Sequence, residues 1–298
     1  MKTLFVLLGA TGTGKTDLSI DIAQLIGSPV ISADSRQIYK EILTGTAAPS
    51  KEQLEKIKHY FIGTHSLTDY YSASLFEEDA ISIISELHEN QPSLLMSGGA
   101  MMYIDAVCKG IDEMPTVTDE IRKTVWEQYE NHGLAPILDE LEKTDPTHYK
   151  AVDKMNYRRV IHAVEICRQT GLPYSSFRKN KIKQRPFKII KIGLVRDRSD
   201  LFDRINKRVD SMIENGMIDE AKNVYPLRHL NSLNTVGFKE LFKYFDGTYS
   251  LDEAIEKIKS NTHVYARKQM TWFKKDTDIT WFHPDNKEDI MQFINRFL

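Results

Sequence analysis

Gly9-Ala10-Thr11-Gly12-Thr13-Gly14-Lys15-Thr16 follows the apolar run Leu4-Phe5-Val6-Leu7-Leu8 and precedes a segment in which Leu18, Ile22, Leu25 and Ile26 recur at helical spacing. The octapeptide fits the phosphate-loop pattern G-x-x-x-x-G-K-[ST], and a strand before it and a helix after it are the context that pattern requires. Glycines in such a loop let backbone N–H groups turn inward around a di- or triphosphate, and the helix N-terminus adds partial positive charge. Lys15 is expected to bridge phosphate oxygens and the Thr16 hydroxyl to ligate Mg²⁺. All eight residues are therefore expected to bind a polyphosphate.

Working outward, residues 29–33 read as a second strand ending at Asp34, and 93–96 as a third ending at Ser97-Gly98-Gly99, with a helix over about 74–90 between them. Strands alternating with helices indicate a parallel sheet covered on both faces, with ligands beyond the carboxyl ends of the strands. Asp34 and Gly98-Gly99 occupy such ends. After Ile111 the pattern turns helical, over 120–131, 136–142 and 158–170, and runs into a basic stretch at 178–185. A strand returns at 187–195, followed by helices over 201–215, 218–225, 238–245 and 251–273. The expected architecture is an α/β, P-loop NTPase-like parallel sheet flanked by helices, formed by residues 1–112 and 187–298, with an inserted all-helical domain at 113–186.

The chain has 298 residues, 41% hydrophobic and 28% charged, enough for one sizeable core or two linked ones. No apolar run approaches the roughly 18–20 residues of a membrane helix, and Leu4–Leu8 is too short for a signal peptide, so a cytoplasmic protein with no membrane partner is expected. Cys108 and Cys167 lie far apart, and the nine histidines include no pair at ligand spacing, which argues against a disulfide framework or a structural metal. The net charge of −2 conceals an asymmetry: residues 150–198 carry fourteen Lys and Arg against three acids, the remainder 26 against 39. A concentrated basic segment in a near-neutral chain points to a polyanion met by one face, or to a merely solvated charged face.

The loop alone does not select a polyphosphate. A nucleotide hydrolase usually carries an apolar strand ending in a metal-holding Asp, whereas Leu94-Leu95-Met96 leads to Ser97-Gly98-Gly99 with no carboxylate. The nearest strand-end acid is Asp34, in Ser32-Ala33-Asp34-Ser35-Arg36-Gln37-Ile38-Tyr39. There it suits a base toward an incoming nucleophile, a water-mediated Mg²⁺ contact, or a helix N-cap.

These residues resemble the bacterial tRNA dimethylallyltransferase (tRNA isopentenyltransferase) family over nearly the whole chain. The match includes the phosphate loop, Asp34–Tyr39, Gly45-Thr46-Ala47, Gly98-Gly99 with Tyr103, and Arg158-Arg159-Val160-Ile161 with Ala163 and Glu165. It continues through Arg204–Val209, Val236–Leu241 and Ala266–Phe273. The resemblance implies transfer of a dimethylallyl group from dimethylallyl diphosphate to the exocyclic N6 amine of the adenosine just 3′ of a tRNA anticodon. The loop would then hold a prenyl diphosphate, in keeping with the missing strand-end acid. It assigns catalysis to Asp34 as base, to Lys15 and to Arg208, with Mg²⁺ as cofactor.

The resemblance further places Asp34, Ser35, Arg36, Gln37 and position 100 against the target nucleotide, and Arg122, Arg158 and Arg159 against RNA. A base reacting at its exocyclic amine must leave the loop stack, and Gln37 suits hydrogen bonds to its Watson–Crick edge. Arg178, Lys179, Lys181, Lys183 and Arg185 beside Phe177 suit phosphate contacts and stacking along the anticodon stem. Arg267, Lys268, Gln269, Trp272, Lys274 and Lys275 read as further RNA contacts or as an amphipathic packing helix. Ala100 departs from the family's Thr, forfeiting a hydroxyl hydrogen bond worth about 0.5–1.5 kcal/mol, and Ala48 departs from a usual Lys. A monomer is expected. The rival readings are a P-loop small-molecule kinase, which leaves the basic insertion unexplained, and a catalytically weakened RNA-binding paralogue.

Overall fold

The computed structural model describes residues 2–179 and 181–298. Met1 and Asn180, the latter inside the basic stretch, lie outside the described residues. By compactness the chain divides into one unit of residues 1–108 with 184–298 and a second of residues 109–183.

The first unit begins with β1 (Thr3–Gly9), α1 (Lys15–Ile26), β2 (Val30–Ala33), α2 (Lys51–Lys56), β3 (His59–Tyr60), α3 (Ala73–Leu87), β4 (Ser93–Gly98) and α4 (Met101–Lys109). The second unit holds α5 (Asp119–His132), α6 (Ala135–Thr144), α7 (Pro146–Ala151) and α8 (Tyr157–Thr170). The chain returns to the first unit with β5 (Lys188–Leu194), α9 (Arg198–Glu214), α10 (Met217–Val224), α11 (Phe238–Phe245), α12 (Leu251–Phe273), β6 (Ile279–Phe282) and α13 (Lys287–Asn295).

The strands form one parallel sheet in the order β3-β2-β4-β1-β5-β6. All seven residues of β1 are buried, which a strand covered on both faces and paired on both edges requires. Its side chains alternate between two cores: Leu4, Val6 and Leu8 pack with Phe76, Ile104, Val209 and Phe238, while Phe5 and Leu7 pack with Leu18, Ile22, Ile290 and Ile294. Helices α1 and α13 thus cover one face, and α3, α4 and the α9–α12 group the other. Arg185, where the chain re-enters this unit, donates to Glu77 Oε1 at 2.7 Å and to the carbonyls of Ala106 and Val107, each at 2.8 Å.

The helical unit has its own core of Val125, Ile137, Leu141, Val160, Ile161 and Val164. Asp145, 1% exposed, ties it together by accepting from His148 N at 2.9 Å and from Ser175 N at 2.6 Å. Arg168 forks onto Glu140 at 2.6 and 2.5 Å, the bidentate geometry that suits a planar guanidinium.

Candidate active site

The sheet's central strand delivers the phosphate loop to a cleft of about 830 Å³ in the first unit, at the carboxyl ends of β1, β2 and β4. Gly14 adopts φ +94°, a left-handed turn that lets α1 start at Lys15. Thr11, Gly12, Gly14, Lys15 and Thr16 line the cleft. The remaining loop residues face inward: Ala10 packs with Leu201, Ile205 and Ala266, and the fully buried Thr13 donates through Oγ1 to Ala10 O at 2.8 Å. Gly9, Ala10 and Thr13 shape the loop and do not line its cavity.

Lys15 Nζ donates to Gly9 O at 3.0 Å and Ala10 O at 2.7 Å. Burial, with the Arg208 cation second, lowers its pKa to about 7 against the opposing pull of Asp34. Arg208, on α9, donates to Thr46 O at 3.1 Å and Ala47 O at 3.4 Å; burial lowers its pKa too, opposed by Asp34. Among the described residues neither cation has a carboxylate within salt-bridge distance. Two half-buried cations facing one cleft with only carbonyls as partners form an electrostatic deficit that an anion fills.

Asp34 follows β2. Its Oδ1 accepts from Arg36 N at 2.8 Å and Gln37 N at 3.2 Å, closing a turn that no helix follows, so the carboxylate is not a helix cap. Its other oxygen makes no hydrogen bond among the described residues, and Asp34 lines the cleft with Ser35, Arg36 and Gln37. Arg36 is anchored by Ser232 O at 2.9 Å. Gln37 uses its amide nitrogen on Thr46 O and Ala47 O, both at 3.2 Å, the carbonyls that also hold Arg208. That stretch is clamped from behind by Glu220, whose carboxylate accepts from Thr44 N at 2.8 Å and Gly45 N at 2.7 Å.

At the end of β4, a Cβ on Gly98 would lie 2.1 Å from Ala33 O, so only glycine allows the ends of β2 and β4 to close together. Ala100 N then donates to Ala33 O at 3.0 Å. Ala100 is 7% exposed and does not line the cleft: the expectation that position 100 faces a nucleotide meets a residue folded onto the end of β2. Gln269, expected among possible RNA contacts, is 2% exposed and instead joins the two glycine loops, accepting from Thr11 N at 3.0 Å and donating to Gly99 O at 2.8 Å.

Further residues build the site: Arg196, Met212, Met217, Ile258 and Tyr265 lie outside the motifs quoted above, whereas Arg204, Val209 and Val236 fall within them. Arg204 donates to Gly12 O at 3.0 Å, and Arg196 to Thr13 O at 3.2 Å while pairing with Asp200 at 2.8 Å and Asp285 at 2.7 Å. Tyr265 lines the cleft with its hydroxyl pushed up to about 12 by burial, with the Asp34 charge second. Val209, Met212, Met217, Val236 and Ile258 add an apolar wall.

Arg122, Arg158 and Arg159 belong to the helical unit. Arg158 and Arg159 are exposed, and Arg122 lies 3.8 Å from Asp119. Among the described residues no group of three or more His, Cys, Asp or Glu is placed to hold a metal ion, and no helix is long and apolar enough to cross a membrane.

A family model described as IPP transferase matches residues 37–276. The chain is 63% identical to a protein of Parabacteroides distasonis named tRNA dimethylallyltransferase 2, across 99% of both chains. Among solved structures, it superposes on the tRNA isopentenylpyrophosphate transferase of Bacillus halodurans with a TM-score of 0.73 and 33% identity, over 99% of this chain and 96% of that one. It also superposes on a eukaryotic dimethylallyltransferase described as acting on tRNA, with a TM-score of 0.80 and 26% identity, over 95% of this chain and 74% of that one.

Proposed function

Because the chain belongs to the IPP transferase family, we propose that it transfers a dimethylallyl group from dimethylallyl diphosphate to the N6 amine of the adenosine 3′ of a tRNA anticodon. The observation that carries this reading is the pair Lys15 and Arg208, cations without a carboxylate partner on the floor of a cleft that also holds Asp34 and an apolar wall. A small-molecule kinase shares the loop and could use Asp34 as base toward a hydroxyl, but it leaves the basic stretch at 178–185 unexplained.

In the reaction the C1–O bond of the donor breaks, the N6–C1 bond forms, and diphosphate leaves. Lys15, Arg208 and the loop amides receive the charge developing on the leaving group. The apolar wall accommodates the five-carbon chain and keeps water from the allylic carbon. Gln37, its amide nitrogen committed to Thr46 and Ala47, keeps Oε1 to accept from the adenine edge. The oxygen of Asp34 not used in the turn takes the N6 proton as the new bond forms. An aromatic amine is a weak nucleophile, so orientation and concerted proton removal matter more than prior deprotonation.

Mg²⁺ fits the same place. The Thr16 hydroxyl makes no hydrogen bond among the described residues, while its carbonyl accepts from Ser19 Oγ at 2.7 Å. Mg²⁺ usually takes few protein ligands and completes its shell with phosphate oxygens and water. When bound, it would neutralise charge on the diphosphate. The helical unit, with the exposed Arg158, Arg159, Arg178, Lys179 and Lys181 and the half-exposed Arg122, supplies cations for the anticodon stem, whereas Arg185, expected among them, is held by Glu77 in the first unit; the reaction takes place in the cytoplasm.

The test is incubation with unmodified tRNA, Mg²⁺ and labelled dimethylallyl diphosphate, alongside Asp34→Ala and an ATP-only control. Label in the anticodon-loop adenosine, absent from the variant, is the expected result. Consumption of ATP with a small-molecule pool and no label would overturn the reading in favour of a kinase, and RNA binding with neither activity in favour of a non-catalytic paralogue.

A further inference from the structure

A second depression, of about 220 Å³, lies between α11 and α12. Lys239 and Lys243 stand one turn apart on α11, Lys257 and Asn261 one turn apart on α12, and Tyr249 and Glu240 complete the lining. Lys239, Glu240 and Asn261 line the main cleft as well, so the two cavities share a wall.

The lining sets three lysines against one carboxylate, Glu240, and the Lys257 charge also acts on Glu253 one turn before it on α12. Glu240 is 6% exposed and committed to Gly237 N at 2.7 Å and Asn261 Nδ2 at 2.8 Å. Glu253 accepts from Ser250 N at 2.7 Å, Glu256 pairs with Lys259 at 3.1 Å, and Asp246 accepts from the Tyr225 hydroxyl. Lys243 reaches only the Tyr249 hydroxyl, at 3.3 Å. Among the described residues none of the three lysines has a carboxylate within 4 Å. Like charges one helical turn apart repel, and a polyanion lying across them relieves that repulsion.

We propose that this depression holds the phosphodiester backbone of the RNA strand adjoining the nucleotide taken into the cleft. It would be a phosphate subsite on the catalytic unit, separate from the cations of the helical unit. The proposal rests on the reading that RNA is the substrate. Backbone phosphates are what a sequence-indifferent set of lysines recognises, and their release of counterions makes the contact measurable through salt.

The experiment compares the full chain with the Lys243→Gln/Lys257→Gln double variant, neither residue lining the main cleft. Affinity for an unmodified anticodon stem-loop is measured by fluorescence anisotropy across a salt series, with prenyl transfer followed in parallel. The double variant is expected to bind the stem-loop several-fold more weakly, and the slope of log affinity against log salt to fall by about 1.4, two single-strand phosphate contacts. Turnover at saturating RNA and affinity for dimethylallyl diphosphate stay unchanged. Lys243→Arg/Lys257→Arg restores the slope, and Lys287→Gln on α13, over the opposite face of the sheet, leaves it intact.

An unaltered slope in the Gln double variant overturns the subsite, whether or not the chain transfers prenyl groups. A lowered slope in a chain that binds RNA without transfer supports the subsite while removing the transferase reading. An equal loss in Lys287→Gln would reduce the effect to net charge and overturn the proposal.

Discussion

Two sets of cations in the first unit are partnered in opposite ways. Arg185 and Arg196 are saturated: the first by Glu77 and two carbonyls, the second by Asp200, Asp285 and Thr13 O. Lys15 and Arg208, lining the cleft, meet only backbone carbonyls among the described residues. Burial is common to both sets, and the counter-charge separates them. A paired cation stitches segments distant in sequence, whereas an unpaired one stores an unfavourable desolvation that a ligand can relieve. The first kind belongs to stability and the second to binding.

That division is sharpest at Asp34, the acid nearest the unpaired cations. Asp34→Ala is expected to lower turnover by about 10²–10⁴-fold with little change in donor affinity, read by single-turnover transfer alongside equilibrium binding. A proportional loss of both would place Asp34 among the binding groups. On the paired side, Arg185→Gln removes the buried ion pair with Glu77 and is expected to cost about 3–5 kcal/mol of folding stability, measured by denaturant unfolding. Lys15→Met should do the reverse: diphosphate affinity drops by about 1.5–3 kcal/mol while the thermal midpoint of the ligand-free chain holds or rises. A lowered midpoint would break the comparison.

The titration of Lys15 gives a subtler check. Its charged form is penalised in the fold, so between about 7 and the ordinary 10.5 the unfolded chain binds more protons and this lysine's contribution to stability rises with pH. A bound diphosphate favours the charged form. Binding at pH 8 is therefore expected to take up a proton and to weaken as pH climbs above 7. Calorimetry in two buffers of different ionisation enthalpy counts that proton, and the same count in Lys15→Met would assign it elsewhere. The smallest effect is expected for Gln269→Ala, which unlinks Thr11 from Gly99 at about 1 kcal/mol of stability, visible in thermal unfolding.

The elements legible in the sequence are those with a strong local period. The run Leu4–Leu8, the phosphate loop, the strands at β2, β4 and β5, and α12 fall where periodicity and glycine punctuation put them. Edge strands were not legible: β3 is two half-buried residues, and β6 alternates over only four. Helices α2, α4, α7 and α13, of six to nine residues each, were not legible either, too short to show a helical period. Within the cleft, Lys15, Thr16, Asp34 and Arg208 announced themselves by motif. Glu220 did not, because its partners lie about 175 positions away in the chain, and Gln269 was named within a motif but not its contact with Thr11, 258 positions away; nothing local marks a contact of that span. The family pattern named position 100, where Ala100 is buried and its N–H donates to Ala33 O.

The place of β1 in the sheet has a consequence for synthesis. Its partners are β4 and β5, and the second of these leaves the ribosome only after roughly ninety further residues, helical unit included. At translation rates of about 5–20 residues per second, one edge of the central strand waits roughly 5–20 seconds for its neighbour. The Leu4–Leu8 run is entirely apolar, so during that interval chaperone capture and aggregation compete for the strand that later carries the phosphate loop.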